Sequence, residues 1–237
     1  MNTYQNTFGQ TAANAMPAER AEFIRKTYIH LAGAIAAFVI IEYFLMNSGL
    51  AQQIAYTMLG GAGSWMLVLL AFMGVSMLAN WWANSQTSRA LQYLGLALYT
   101  VAEAIIFVPL LFFAEYKTGS SNIIAEAGVV SIGLFLGVTA VVFLSQKDFS
   151  FLGPILMIGG FVALGAIAAS LLFGFSLGTL FAFIMVAFAG GSILYQTSNL
   201  MNRYNTNQHV AAALALFASI ALLFWYILQI YSGGSRR

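Results

Sequence analysis

Apolar residues dominate the chain in seven long runs, each separated from the next by a short polar segment. A helix that crosses a bilayer needs about 20 mostly apolar residues, and the runs have roughly this length. The runs do not alternate between apolar and polar positions as barrel strands do, so helices are expected to satisfy the backbone hydrogen bonds. The predicted spans are Thr27–Met46, Gly60–Trp82, Leu91–Phe113, Ile123–Leu144, Leu152–Phe173, Leu177–Tyr195 and Gln208–Tyr231.

Composition supports the same class of protein. Hydrophobic residues make up 61% of the 237 residues and charged residues only 7%, against about 25% charged residues in typical globular chains. The chain has no cysteine, which excludes disulfides and thiolate metal sites. Because the connections are short, we predict a single seven-helix transmembrane domain over 27–231, after a polar segment over 1–26 and before a polar tail over 232–237.

The distribution of Lys and Arg predicts the orientation of the bundle. With the N-terminus in the cytoplasm, six basic residues fall on the cytoplasmic side and three on the other side. The sequence therefore predicts a cytoplasmic N-terminus and a C-terminus outside. The six are Arg20, Arg25, Lys26, Arg89, Lys147 and Arg203, and the three are Lys117, Arg236 and Arg237.

Small residues predict where helices approach one another, since they let backbones come close in lipid. Gly133 and Gly137 form a GxxxG pattern in the fourth span, and Gly159, Gly160 and Gly165 give the fifth span a small-residue face. Both faces are expected to contact other helices.

Glu103 is the most informative polar residue, because it falls near the middle of the third span, in YTVAEAIIFVPLL. An acid at that depth is costly and often marks a functional site in membrane proteins. One interpretation is a proton or cation site. The other is a neutral carboxyl that faces the bundle interior and hydrogen-bonds to a neighbouring Ser, Thr or Tyr. The sequence leaves both open.

Four other residues carry weaker signals. Glu42 lies towards the outer end of the first span, where its carboxylate is expected to reach water. His30 and His209 are predicted near the cytoplasmic interface, and their titration range suits pH sensing, although a structural role is the commoner one there. Asp148, in the loop SQKDFSFLGP, is expected to cap the following helix or to pair with Lys147.

Four segments resemble the transmembrane Bax-inhibitor-motif family, and its bacterial branch in particular. They are FIRKTYIHLAGAIAAF, YTVAEAIIFVPLLF, SQKDFSFLGPIL and ILYQTSNL, and with the spans the resemblance covers roughly residues 20–231. It implies a bundle in which six helices surround the last one, so Gln208–Tyr231 is expected at the centre. It also implies a bacterial inner membrane as the location.

Family members are associated with a proton-sensitive calcium leak, and the eukaryotic ones with suppression of cell death. The resemblance ties the leak to a pair of aspartates on the sixth and seventh spans. This sequence has Gln196 at the first position, in ILYQT, and Ser219 at the second, in LFASIALLF. Neighbouring carboxylates can share a proton and titrate as a unit. Gln and Ser cannot, so the pH switch of the family is expected to be absent.

The leading hypothesis is a membrane protein that modulates membrane or ion homeostasis, with calcium as the implied ion, or that regulates other membrane proteins. A proton-coupled transporter or cation channel that uses Glu103 is the first alternative. A scaffold that binds membrane proteins through its glycine faces, without transport, is the second. The sequence has no GxSG, HExxH or phosphate-loop motif, so we expect no enzymatic activity, catalytic residue, cofactor or metal centre. It has no basic cluster that would predict nucleic acid as a partner.

Overall fold

The computed structural model describes residues 10–85 and 87–233, and this part of the chain folds into eight α-helices. Seven of the eight are long and apolar enough to cross a membrane, which confirms the predicted all-α multi-pass bundle. The helices are α1 Pro17–Asn47, α2 Leu50–Met58, α3 Ala62–Ala83, α4 Arg89–Thr118, α5 Asn122–Ser145, α6 Leu152–Phe173, α7 Gly178–Asn202 and α8 His209–Gly233.

The short helix α2 was not predicted. Its sequence LAQQIAYTM has 9 residues, too few to cross a bilayer, and its two glutamines break the apolar pattern. Gly49, with φ 76°, makes the turn that separates α2 from α1, a left-handed conformation that glycine adopts without strain. Ala51 and Ala55 are buried where α2 packs against α1 and α4. The helix therefore covers one end of the bundle between the first two spans.

The last helix lies at the centre of the bundle. It packs against α1, α3, α4, α5 and α7, and its consecutive residues Ala211, Ala212 and Ala213 are all buried. Three consecutive residues point to widely separated sides of a helix, so α8 is enclosed on most of its circumference. A helix that is apolar all round suits such a position, and its many alanines let five neighbours approach.

The outer helices bury much less of their surface. In α6, Ala163 is the buried residue, and the helix packs mainly against α7 and also against α3. The two glycine faces predicted from the sequence differ in whether they contact another helix. Gly159 lies against the ring of Phe188, but no atom of another helix lies within 4 Å of the position of a Cβ at Gly133 or Gly137.

Among the described glycines, the one with the least space for a side chain is Gly95, which the sequence did not predict as a contact position. A Cβ on Gly95 of α4 would lie 2.5 Å from the Ala79 carbonyl oxygen and 2.6 Å from the Ala83 amide nitrogen of α3. Both atoms belong to the backbone and cannot rotate away. Glycine at this position therefore sets the spacing between α3 and α4.

The N-terminal segment folds onto the loop between α7 and α8. The Ala12 amide donates to the Tyr204 carbonyl at 2.8 Å, and the Thr206 amide donates to the Gln10 carbonyl at 3.0 Å. Helix α1 begins at Pro17, so residues 17–26 of the predicted polar segment are helical. We call the side of the bundle that carries this segment, the 203–208 loop and the start of α8 the N-terminal face. Residues 1–9 and 234–237, including Arg236 and Arg237, lie outside the described residues.

Candidate functional site

Ring contacts between α1, α4 and α8 fix the relative depth of the polar residues in the core. The His30 ring lies 4.9 Å from the His209 ring and 5.4 Å from the Tyr93 ring, measured between centroids. Eight residues beyond this level, Phe38 contacts Phe217, so α1 and α8 run in parallel. Glu103 and Ser219 each lie ten residues beyond the histidine level. At about 1.5 Å per residue, both are roughly 15 Å deeper, which is near mid-membrane.

Glu103 lies inside the bundle, with 6% of its surface exposed. The Tyr99 hydroxyl, one helical turn earlier on α4, lies close to its carboxyl. The Tyr99 ring in turn packs edge-on against Phe217 of α8, with centroids 6.0 Å apart. This is the type of polar contact that the structural interpretation of Glu103 requires. A proton or cation site at Glu103 is not excluded by it.

Ser219 hydrogen-bonds to a residue that the sequence analysis did not single out. Its hydroxyl lies 2.9 Å from that of Ser192 on α7, and it also donates to the Ala215 carbonyl at 3.0 Å. Either of the two hydroxyls can be the donor of this bond. Gln196 lies one turn further along α7 towards the N-terminal face and is half-buried. The side chain of α7 that hydrogen-bonds to Ser219 is therefore that of Ser192.

The expectation that Glu42 reaches water is wrong. Only 5% of Glu42 is exposed, and both of its carboxyl oxygens are buried without a hydrogen-bond partner among the described residues. The physical reason is the unpredicted helix α2, which folds back against α1 and α4 at this end of the bundle. Glu42 is consequently a second buried acid, beside Glu103.

Three hydroxyls from three helices approach one another inside the bundle. The Tyr28 hydroxyl of α1 faces those of Thr139 on α5 and Thr197 on α7, yet none of the three makes a well-formed hydrogen bond within the described part of the chain. Buried hydroxyls without partners are common positions for internal water. The Tyr28 group is the largest cluster of such atoms here.

Asp148 organises the loop between α5 and α6. Its carboxylate accepts hydrogen bonds from the Ser150 amide at 2.9 Å, the Ser150 hydroxyl at 3.0 Å and the Ser198 hydroxyl of α7 at 3.1 Å. These bonds, led by the one from the Ser150 amide, lower the pKa of Asp148. Asp148 therefore forms a turn before α6 and ties it to α7. The predicted pairing with Lys147 is not among the ion pairs of the described residues.

His30 and His209 meet at a cavity of about 240 Å³ on the N-terminal face. The His30 Nδ1 atom lies 2.7 Å from the Lys26 carbonyl oxygen, so Nδ1 donates a hydrogen bond to that carbonyl. The cavity could not be predicted from the sequence, since nothing in the spacing of the two histidines links α1, α4 and α8. The lining residues are Lys26, His30, Arg89, Tyr93, Thr206, Asn207 and His209.

Aromatic rings fill the core beyond Glu103. Phe107 of α4 stacks on Phe224 of α8 at 5.5 Å and meets Trp225 edge-on at 4.9 Å, and Phe38 of α1 contacts both Phe107 and Phe224. These rings come from α1, α4 and α8 and pack the three helices against one another at this level.

Comparisons with known proteins agree with the motifs. The profile of the family described as "Inhibitor of apoptosis-promoting Bax1" matches residues 20–237, and the chain belongs to this family. Bax inhibitor 1 of Schizosaccharomyces pombe is 30% identical over 221 residues, which cover 90% of this chain and 79% of that protein. An uncharacterized Pseudomonas aeruginosa protein is 28% identical over 228 residues, 94% of this chain and 95% of its own.

A third relative is named for a role. The Escherichia coli protein named "Modulator of FtsH protease YccA" is 30% identical over 121 residues, which cover 51% of this chain and 55% of that protein. Its counterpart in Escherichia coli O6:H1, named "Inner membrane protein YccA", has the same identity and coverage. The chain is thus a multi-pass membrane protein of the Bax inhibitor family, with relatives in bacteria and eukaryotes.

Proposed function

We propose that this protein is a regulatory protein of the bacterial inner membrane, and that it acts on membrane or ion homeostasis by modulating another membrane protein. We further propose that any calcium leak through it lacks the carboxyl-pair pH switch of the family. The observation that carries the proposal is the Ser192–Ser219 hydrogen bond between α7 and α8. It joins the two helices through neutral groups close to the level where the family resemblance implies two aspartates.

Two further observations support regulation over conduction. The rings of Phe38, Phe107 and Phe224 fill the space between α1, α4 and α8 with apolar side chains. The similarity to a relative named as a modulator of the FtsH protease favours a protein partner for this chain as well.

Reconstitution tests this proposal. Liposomes that contain the purified protein, with calcium and proton dyes inside, should show little flux. Co-reconstitution with the FtsH protease should change the rate at which the protease cleaves a membrane substrate, whereas an unrelated seven-helix protein at the same density should not. Rapid calcium flux together with an unchanged cleavage rate would contradict the proposal.

A cation or proton transporter is the second candidate, and a specific observation favours it. The bundle holds two buried acids, Glu103 beside Tyr99 and Glu42 without a partner in the described part of the chain. Intramembrane acids commonly mark proton or ion pathways. If flux is found, its loss in both Glu103→Gln and Glu42→Gln would support this candidate. Flux that survives both substitutions would exclude it.

We also propose an orientation for the bundle in the membrane. Five of the six basic residues counted on the cytoplasmic side lie at helix ends or loops of the N-terminal face, and the Lys147 loop joins it through Ser198. We propose that this face is cytoplasmic. Reporter fusions after Asn84, Lys147 and Arg203 should then all report cytoplasm, and one fusion that reports the outside would contradict this orientation.

A further inference from the structure

We propose that the cavity between His30 and His209 binds a phosphate group, carried either by an anionic lipid or by free phosphate. This site is independent of the carboxyl-pair position and of the buried acids. Four of the seven lining residues are basic or can become so, namely Lys26, His30, Arg89 and His209. At about 240 Å³, the cavity is far larger than the ~10–15 Å³ that one water molecule needs.

The helix ends add to the positive potential. Arg89 is the first residue of α4 and His209 the first residue of α8, and neither helix has an acidic residue in its first turn. A helix N-terminus carries a partial positive charge and unpaired amides, which favour an anion and disfavour a cation. Placing basic side chains at two such ends is unfavourable unless an anion compensates them. The N-termini of α4 and α8 and the basic side chains at these ends therefore lie at the same cavity.

The nearby Glu22 carboxylate does not neutralise the basic residues that line the cavity. Glu22 pairs with Lys26 at 2.8 Å, and this is the ion pair found among the described residues. Arg89 has no carboxylate within ion-pair distance in that part of the chain, and it keeps its charge at every physiological pH. The cavity is therefore positive even when both imidazoles are neutral, and it becomes more so when they gain protons.

The chemistry of a phosphate group fits the remaining lining residues. Guanidinium and ammonium groups bind phosphate oxygens through charge-assisted hydrogen bonds, and the Thr206 and Tyr93 hydroxyls can donate as well. Asn207 has a buried Oδ1 without a partner in the described chain. That acceptor suits the P–O–H of a protonated phosphate or a hydroxyl carried by a lipid headgroup. A simple halide would leave it unpaired.

The test uses the full chain with matched variants. Arg89→Gln and Lys26→Gln each remove a cation from the cavity lining, and Arg25→Gln removes one from the same face without lining the cavity. In a neutral detergent, binding of radiolabelled inorganic phosphate is measured at pH 7. In nanodiscs, the unfolding midpoint is compared between phosphatidylglycerol and phosphatidylcholine. Lys26 is exposed, so Lys26→Gln should fold normally. It keeps the test decisive even if Arg89→Gln does not fold.

Two results support the proposal and identify the source of the phosphate. Saturable phosphate binding that is at least about tenfold weaker in the lining variants than in Arg25→Gln indicates free phosphate. A higher midpoint in phosphatidylglycerol, lost in the lining variants and kept in Arg25→Gln, indicates a lipid phosphate. The proposal is overturned if neither phosphate nor phosphatidylglycerol has an effect, or if Arg25→Gln behaves like the lining variants in both arms.

Discussion

The Ser192 hydroxyl on α7 lies 2.9 Å from the Ser219 hydroxyl on α8, and the Ser219 hydroxyl also lies within hydrogen-bonding distance of the Ala215 carbonyl. The bond between the helices joins two neutral hydroxyls, either of which can donate. Neither hydroxyl gains or loses a proton in the neutral pH range. The contact between the two helices at this level consequently has the same strength at pH 5.5 and at pH 8.

A double-mutant cycle measures this bond. Ser192→Ala and Ser219→Ala should show a coupling free energy of about 0.6 kcal/mol, and not more than ~1.7, as expected for hydrogen bonds between membrane helices. The measurement is reversible unfolding in mixed micelles. Ser170 on α6 bonds only to its own helix, at the Ile167 carbonyl, so Ser170→Ala with Ser219→Ala is the control and should show no coupling. Equal coupling in the two cycles would contradict the bond.

The spans and the central helix could be predicted because the membrane imposes them. Apolar length sets where a helix crosses, and the five predicted spans that correspond to α3, α4, α5, α6 and α8 agree with the structure to within five residues at each end. Helix α7 runs seven residues past its predicted end at Tyr195, through the buried residues Thr197, Ser198 and Asn199. The central place of α8 came from family resemblance, and its run of buried alanines explains it.

The site could be predicted only residue by residue. Glu103 was identified because one acid in an apolar run is visible in the sequence, but its Tyr99 partner needs the helical turn to bring it close. The Ser192–Ser219 contact depends on the register between α7 and α8, which an ungapped alignment does not give. Glu42 was placed at water because α2, which helps to bury it, has no apolar pattern of its own. The basic cavity needs three helices at once, and no local pattern encodes that.

Substitutions at Glu103 distinguish its two interpretations. Glu103→Gln keeps an acceptor for the Tyr99 hydroxyl, so the free energy of unfolding should change little. Glu103→Leu leaves that hydroxyl buried and unpaired, which should lower the free energy of unfolding by about 1–3 kcal/mol. Thermal unfolding in detergent compares the two variants. If Gln is as damaging as Leu, the carboxyl acts through its charge and the structural interpretation fails.

The Asp148 turn predicts a pH-dependent stability. Hydrogen bonds from Ser150 and Ser198 hold the pKa of Asp148 in the folded protein below its ordinary value of 3.8. A lowered pKa means that the stabilisation is complete above pH 3.8 and is lost as the pH falls through the lower, folded value. Asp148→Asn should therefore unfold at a lower temperature than the unmodified protein at pH 7, and the difference should shrink below pH 3.8. A difference that is the same at pH 3 and pH 7 would contradict the role of the charge.

Gly95 should tolerate no side chain. In Gly95→Ala the new methyl group would meet the Ala79 carbonyl at 2.5 Å, so α3 and α4 must move apart, at a cost of about 1–3 kcal/mol in the free energy of unfolding. Gly165→Ala on α6 is the control, because no atom lies within 4 Å of the added methyl. Unfolding in mixed micelles measures both variants. Equal stability of the two would show that α3 and α4 can separate freely.

Introducing carboxyl groups on α7 and α8 tests whether their absence explains the expected absence of the family's pH switch. The pair that meets in the structure is Ser192→Asp with Ser219→Asp, and the pair implied by the family alignment is Gln196→Asp with Ser219→Asp. Two carboxyls in contact titrate as a unit, so the pair that is truly in contact should make calcium flux depend on pH. Single Asp variants are the controls and should not produce a shared titration. If neither pair alters the pH dependence of flux, this bundle cannot be switched at α7 and α8.

The most direct test is the pH dependence of calcium flux in liposomes that contain the unmodified protein. The neutral Ser192–Ser219 contact predicts a flux that is small and nearly constant between about pH 5.5 and 8, the range in which a perturbed carboxyl pair would titrate. The variant with both His30→Gln and His209→Gln removes the histidine response. A steep rise of calcium flux towards acid pH in the unmodified protein, retained in that histidine variant, would contradict the account.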